Sequence, residues 1–232
     1  MLTLAVDSSS KSCSCAVFEE ERLLGESYLH AGLTHSRSLT ALISGVLSHA
    51  GLCCAQLDGY VVTTGPGSYT GLRIGLATVK GMAMAQDRPC VGVSTLHALA
   101  YNLLACDGIV CAVLDARVSQ VFAALFEVRD GQVRRLTPDD AMTLEALGSL
   151  LPDGARAVGD GAELACERFG KEKGLRLAPA PLRFARASSA GLAAALERLP
   201  ACRAAELAPN YHRLSQAERE RAAGQGGIRR CC

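Results

Sequence analysis

Residues 2–6 form a short apolar run that stops at Asp7-Ser8-Ser9-Ser10. Two further runs, 12–18 and 23–29, follow across tight polar turns, the second of them the acidic Glu19-Glu20-Glu21. Runs of strand length bounded by turn residues predict three successive strands. Over 36–50 the period changes. Leu39, Leu42, Ile43, Val46 and Leu47 recur at the i, i+3, i+4, i+7 spacing of an amphipathic helix. A strand at 59–64 then enters Gly65-Pro66-Gly67-Ser68-Tyr69-Thr70-Gly71-Leu72-Arg73-Ile74-Gly75. Gly65 and Gly67 allow backbone angles that a Cβ resists, and Pro66 fixes the turn between them. In the helix predicted over 72–86 only Arg73, Thr78, Lys80 and Gln86 are polar. A helix apolar almost all round has to be covered on more than one side. Its own sheet is one cover, and a second protein is the expected other. A strand at 90–93 and a helix at 95–105 complete this half.

The order then starts again. Residues 109–114 are an apolar strand ending in Asp115-Ala116-Arg117, with strands at 120–128 and 132–136 behind it. A helix at 144–151, a strand at 155–158, the turn Gly159-Asp160-Gly161 and a helix at 162–169 follow. Asp7 thus corresponds to Asp115, and Gly65-Pro66-Gly67 to Gly159-Asp160-Gly161. The pattern predicts two α/β lobes, 1–105 and 106–185, each a mixed sheet flanked by helices. A closing helix near 188–199 is expected to pack back on the first lobe. Beyond Arg213 the chain turns charged and glycine-containing, so 214–232 is expected to be a flexible tail.

Composition narrows the partners. The 24 Lys and Arg nearly balance 23 Asp and Glu, which argues against a self-sufficient nucleic-acid binder. There is no apolar run long enough to span a membrane and no signal-peptide layout at the start. Eleven cysteines, an odd number, with Cys13, Cys15, Cys90 and Cys111 inside strand patterns, read as reduced buried thiols of a cytoplasmic protein. No Cys-x-x-Cys pair supports a zinc site. The vicinal pairs Cys53-Cys54 and Cys231-Cys232 read as incidental thiols. His30 and His35 stand five apart with Gly32 between, and His49, His97 and His212 stand alone, so a metal site is not expected. Ser68 and Thr70 read as helix caps rather than nucleophiles. The glycine turn lacks dinucleotide spacing, and no phosphate loop with Gly-Lys-Ser/Thr occurs.

Two lobes whose first hairpin turns each carry an Asp resemble the actin–sugar kinase–heat-shock ATPase superfamily. That resemblance implies actin-like, ribonuclease H-like lobes with a nucleotide cleft between them. Asp7-Ser8-Ser9-Ser10 matches the first phosphate turn, but Ser9 replaces its glycine. Asp115-Ala116-Arg117 has lost the glycine of the second turn. Gly159-Asp160-Gly161 is the best kept, as an adenosine turn. Asp7, Ser8, Ser9, Ser10, Asp115, Gly159, Asp160 and Gly161 are therefore the candidate remnant of a nucleotide site, with no catalytic residue assigned.

The start Leu4-Ala5-Val6-Asp7-Ser8-Ser9, His35-Ser36, the long glycine motif, Gly92-Val93-Ser94-Thr95-Leu96, Leu114-Asp115-Ala116-Arg117, Gly159-Asp160-Gly161 and Pro209-Asn210-Tyr211-His212-Arg213 occur in this order. In that set the chain resembles the TsaB family of bacterial tRNA threonylcarbamoyladenosine biosynthesis proteins, over residues 1–213. The resemblance implies a non-catalytic paralogue of TsaD. It would act as a scaffold supporting threonylcarbamoyl transfer to the adenosine following the anticodon, with TsaE in the assembled complex and tRNA met only there. No cofactor is required of this subunit, and ATP or ADP belongs to the complex. TsaD's matching helices imply a four-helix contact through Leu39, Leu42, Ile43, Val46, Leu72, Ile74, Gly75, Thr78, Val79 and Met82, and homodimers without TsaD. The rival reading is an autonomous ATP-dependent small-molecule kinase or ATPase.

Overall fold

A computed structural model describes residues 1–117 and 120–211. The expected tail 214–232, together with His212, Cys231 and Cys232, lies outside the described residues. Strands β1 (Leu2–Asp7), β2 (Cys13–Glu19) and β3 (Arg22–Leu29) form an antiparallel meander. After α1 (His35–His49), β4 (Gly59–Gly65) pairs parallel to β1. After α2 (Tyr69–Gln86), β5 (Cys90–Ser94) pairs parallel to β4, giving the order β3-β2-β1-β4-β5. Both faces of this sheet are covered, which is why β1 and β4 read as continuous apolar runs. On one face α1 and α2 bring Leu39, Ile43, Val46, Leu76 and Val79 onto Leu4, Val6 and Val62. On the other, α3 (Thr95–Tyr101) and α6 (Ala187–Leu196) cover Ala5, Ala16, Phe18, Val61 and Val93.

The second sheet repeats the arrangement with β6 (Gly108–Arg117), β7 (Gln120–Arg129) and β8 (Gln132–Arg135) antiparallel. β10 (Arg156–Val158) and β11 (Arg176–Leu177) are parallel on the other side of β6. Helices α4 (Leu144–Leu150) and α5 (Ala162–Lys173) cover Cys111, Val113, Ala123 and Leu125. The fold is α/β with two mixed sheets flanked by helices.

Some elements differ from the expected ones. Strand β9 (Asp140–Thr143), which pairs with the first half of β7, is not visible in the polar Thr137-Pro138-Asp139-Asp140 approach. Helix α3 stops at Tyr101 instead of running to 105. Asn102 turns its side-chain amide onto the carbonyls of Leu182 and Phe184, at 2.7 and 2.8 Å, tying lobe one to the chain leading into α6. The closing helix occupies 187–196 rather than 188–199.

The expected partner surface needs a larger correction. Leu39, Ile43, Val46, Leu72, Gly75 and Val79 are buried within the lobe and offer a partner little surface. Their periodicity reports the stripe that faces the sheet, where each Leu, Ile or Val side chain contributes about 1.5–3 kcal/mol by burial. Leu42, Ile74, Thr78 and Met82 stand half-buried at its margin. The outer face of α2 carries Arg73, Ala77, Gly81, Met84 and Ala85.

Candidate functional site

The strongest concentration of buried polar groups lies where β1 ends. Asp7 is 0% exposed and Ser8, Ser9 and Ser10 are buried with it. One carboxylate oxygen of Asp7, Oδ1, accepts from Ser9 Oγ at 2.6 Å, from Thr63 Oγ1 at 2.7 Å and from the Ser9 amide at 3.4 Å. The other, Oδ2, is buried without a hydrogen-bond partner. Burial raises the Asp7 pKa against these hydrogen bonds and the nearby His35. His35, at the first turn of α1, donates from Nε2 to the Ser10 carbonyl at 2.8 Å.

The glycine turn closes over this group. The Ser68 amide donates to the Ser9 carbonyl at 2.7 Å, and Ser8 Oγ donates to the Gly71 carbonyl at 2.8 Å. Gly67 has φ near 155°, and a Cβ there would lie far inside contact distance of the Ser9 carbonyl oxygen. A Cβ on Gly71 would strike the Ser8 carbonyl in the same way. The glycines of the long motif are thus demanded by backbone packed against backbone. Ser68 caps α2, its Oγ accepting from the Gly71 amide at 3.2 Å, the role expected of it. Asn210 reaches the same turn from the C-terminal side, its amide donating to the Thr64 carbonyl at 2.7 Å. Tyr211 stacks on Tyr69 at 5.0 Å, and its hydroxyl accepts from Arg73 Nε at 3.0 Å.

Lobe two presents the other candidate residues around the end of β6. The Asp115 amide donates to Asp160 Oδ1 at 3.0 Å, and the Arg117 amide to Asp115 Oδ1 at 2.7 Å. Arg117 adopts φ near 60°, the region a glycine would favour. Gly159 has φ near 112°, and a Cβ on it would collide with the Val113 carbonyl. Gly161 is pressed equally close to Leu114 and Asp115. Burial raises the Asp160 pKa, while its bond from the Asp115 amide and the charge of Lys11 lower it. Lys11, on the hairpin of lobe one, is thus near enough to act electrostatically on Asp160 of lobe two.

These residues fit a nucleotide poorly. The carboxylate at the first turn is sealed away and shares one oxygen among three donors. The Ser9 carbonyl is taken by the Ser68 amide and the Ser10 carbonyl by His35, and the backbone of β6 lies against the glycines of the third turn. Among the described residues no group of three His, Cys, Asp or Glu side chains could hold a metal ion. Reading the chain alone does not single out Thr63 or Lys11, because Thr63 reaches Asp7 only through the pairing of β4 with β1 and Lys11 acts on Asp160 of the other lobe. His35 carries a signal in the His35-Ser36 motif.

Residues 30–221 match the sequence profile of the family described as "TsaD: tRNA N6-adenosine threonylcarbamoyltransferase". The chain is 31% identical over 68% of its length, and 69% of the other's, to the tRNA threonylcarbamoyladenosine biosynthesis protein TsaB of Bacillus subtilis. It is 32% identical to a tRNA N6-adenosine threonylcarbamoyltransferase of Solidesulfovibrio magneticus, over 73% of this chain and 46% of that one. TsaB proteins of Haemophilus influenzae and Escherichia coli are matched over 51% and 55% of their length. YeaZ from Pseudomonas aeruginosa superposes with a TM-score of 0.79 at 26% identity, over 90% of this chain and 99% of that one. With this identity to the Bacillus subtilis protein over two thirds of both chains, the chain belongs to the TsaB family of tRNA threonylcarbamoyladenosine biosynthesis proteins.

Proposed function

We propose that the chain is a non-catalytic accessory subunit that binds a TsaD-type transferase and supports threonylcarbamoyl transfer to the adenosine following the anticodon of tRNA. The observation that carries this reading is Asp7. A catalytic aspartate at the first phosphate turn needs an open face for phosphate or metal, and this one is fully buried beneath the glycine motif. The partner surface is the outer side of α1 and α2, through Leu42, Ile74, Thr78 and Met82. Between them Ala77 and Gly81 let a neighbouring helix approach closely. Without the transferase the same face forms a homodimer. Any ATP or ADP and the tRNA are met in the complex, with TsaE joining there, in the cytoplasm. A chain of nearly balanced charge contributes few phosphate contacts of its own.

Gly81 offers a clean test, since a Cβ there meets nothing within 4 Å. Gly81→Arg should leave the fold and melting temperature intact while abolishing both co-purification with the transferase and homodimerisation. Normal binding by the folded variant would place the interface elsewhere. The purified chain should neither modify tRNA nor turn over ATP, and should restore modification when added to the transferase. The kinase reading would instead be upheld by a turnover of about one per second, an ordinary enzyme rate, that is lost in Asp7→Ala.

A further inference from the structure

Residues 200–211 leave the end of α6 and run as a strap past the open edge of β5 to the glycine turn. Lys80 Nζ holds the strap at the Leu207 carbonyl, 3.0 Å away. Where the strap begins, Cys202 faces Cys90, the first residue of β5, in an antiparallel bridge. The Cys90 amide donates to the Cys202 carbonyl at 2.9 Å, and the Cys202 amide returns to the Cys90 carbonyl at 2.8 Å. Residues that exchange both backbone hydrogen bonds stand directly opposite, with Cα atoms about 5.5 Å apart. That Cα spacing lies inside the range of roughly 4.4–6.8 Å found for disulfides, and the Cβ atoms of this wide, hydrogen-bonded pair have to close by about 1 Å to bridge, which makes the bond strained and readily reduced. Both side chains pack on the same hydrophobic cluster, so they project to one face. Cys90 is fully buried. Cys202 is half-buried and lines a surface groove of about 620 Å³ together with Asp87, Arg88, Arg203 and Glu206.

We propose that Cys90 and Cys202 are a dithiol–disulfide couple, oxidised by a low-molecular-weight disulfide entering through this groove, and that the bond staples the strap to β5. The half-buried Cys202 thiolate attacks one sulfur of the small disulfide and expels the other half as a thiolate, leaving a mixed disulfide on Cys202. The Cys90 thiolate then attacks the Cys202 sulfur and expels the second small thiolate. The two protons given up by the cysteines end on the two departing thiols. The cysteine pair loses two electrons and the reagent gains them. Burial, with Cys202 adding to it, pushes the Cys90 thiol up to about 11, so the second step is slow near neutrality and quickens as pH rises. The strap's far end holds Asn210 on Thr64 and Tyr211 on Tyr69 and Arg73. A staple at residue 202 therefore reaches the glycine turn and the start of α2 through one short segment.

The test is incubation of the folded full-length chain with oxidised glutathione, followed by non-reducing peptide mapping and amide hydrogen exchange. Linked peptides joining Cys90 to Cys202 should dominate over every other pair, and exchange across residues 202–211 should slow. Cys202→Ser, a change at a half-buried site, should fold and lose both effects. A chain that stops at glutathionylated Cys202 with Cys90 still free would overturn the proposal. So would a Cys90–Cys202 link no more abundant in the folded chain than in urea, or a link that forms without slowing exchange.

Discussion

At the scale of single residues, the glycines sort into those the packing requires and those it does not. Gly71 lies in α2 with ordinary helical angles, yet a methyl there would drive into the Ser8 carbonyl and toward the His35 ring. Gly71→Ala should cost about 1–3 kcal/mol by overpacking. Gly81, nearly three turns further on, has open space where its Cβ would be. Gly81→Ala should gain about 0.5–1 kcal/mol from helix propensity. Urea denaturation of the pair checks this, and equal losses would refute the packing distinction. Asp7 gives a pH signature. Burial raises its folded pKa above the ordinary carboxylate value of about 3.9, so the folded state binds its proton more readily than the unfolded chain. Its contribution is fully present below that value and is lost as pH rises through the folded pKa. Asp7→Asn should therefore gain on the wild type as pH rises from about 4 toward neutrality. Paired melts across that window would show a constant difference if the carboxylate were solvated.

At the scale of elements, most of the chain was legible because strand runs and helical periodicity are local properties. The meander before α1 and its repeat after Gly108 follow from runs bounded by turn residues. What failed was long-range. β9 exists because β7 is long enough to pair with two strands along one side, and nothing near Asp140 signals that. Six of the ten expected interface residues prove buried for a related reason. Apolar positions on α1 and α2 cannot say which of them a lobe's own sheet consumes, so Leu39 and Val79 looked like Leu42 and Met82. Asp7 was recognisable as a turn aspartate, but its burial depends on Thr63 and on the glycine motif folding back onto Ser8 and Ser9. Helix α6 is a further case. Its Ala187-Ser188-Ser189-Ala190-Gly191 start has almost no side-chain bulk, which lets it lie close on β1 and β2. A Cβ on Gly191 would press into the Phe18 ring. Gly191→Leu should unseat α6, lower the melting temperature and speed amide exchange across 187–196. A variant with unchanged exchange would mean that α6 is held chiefly by its N-terminal end, where Ser14 Oγ and Glu26 accept from Ala187 and Ser188.

At the scale of the whole molecule, α3 packs on both sheets, and a polar cluster beside it ties them together. His97, on α3, stacks on Phe126 of β7 with centroids 5.5 Å apart. Its Nε2 meets Glu197 Oε1 at 2.8 Å, the same oxygen that accepts from the Tyr101 hydroxyl at 2.8 Å. Arg135 lies over the other side of the cluster, 4.7 Å from the Phe126 ring, and pairs with Asp139. Asp139 in turn accepts from Ser94 Oγ, the cap of α3, at 2.6 Å. Burial lowers the His97 pKa below 6.5, assisted by Arg135 and opposed by Glu197 and Asp139. Between the folded pKa and 6.5 the unfolded chain therefore holds more protons. The stability due to neutral His97 is present above that window and is lost as pH falls through it, at no more than about 1.4 kcal/mol per pH unit. His97→Gln keeps a donor for Glu197 without a titrating ring. The wild type should lose more stability than this variant between about pH 7.5 and pH 5.5, with amide exchange rising in both α3 and β7 as the lobes loosen. Parallel stability curves for the two proteins would assign the acid sensitivity to another histidine and leave the junction indifferent to pH.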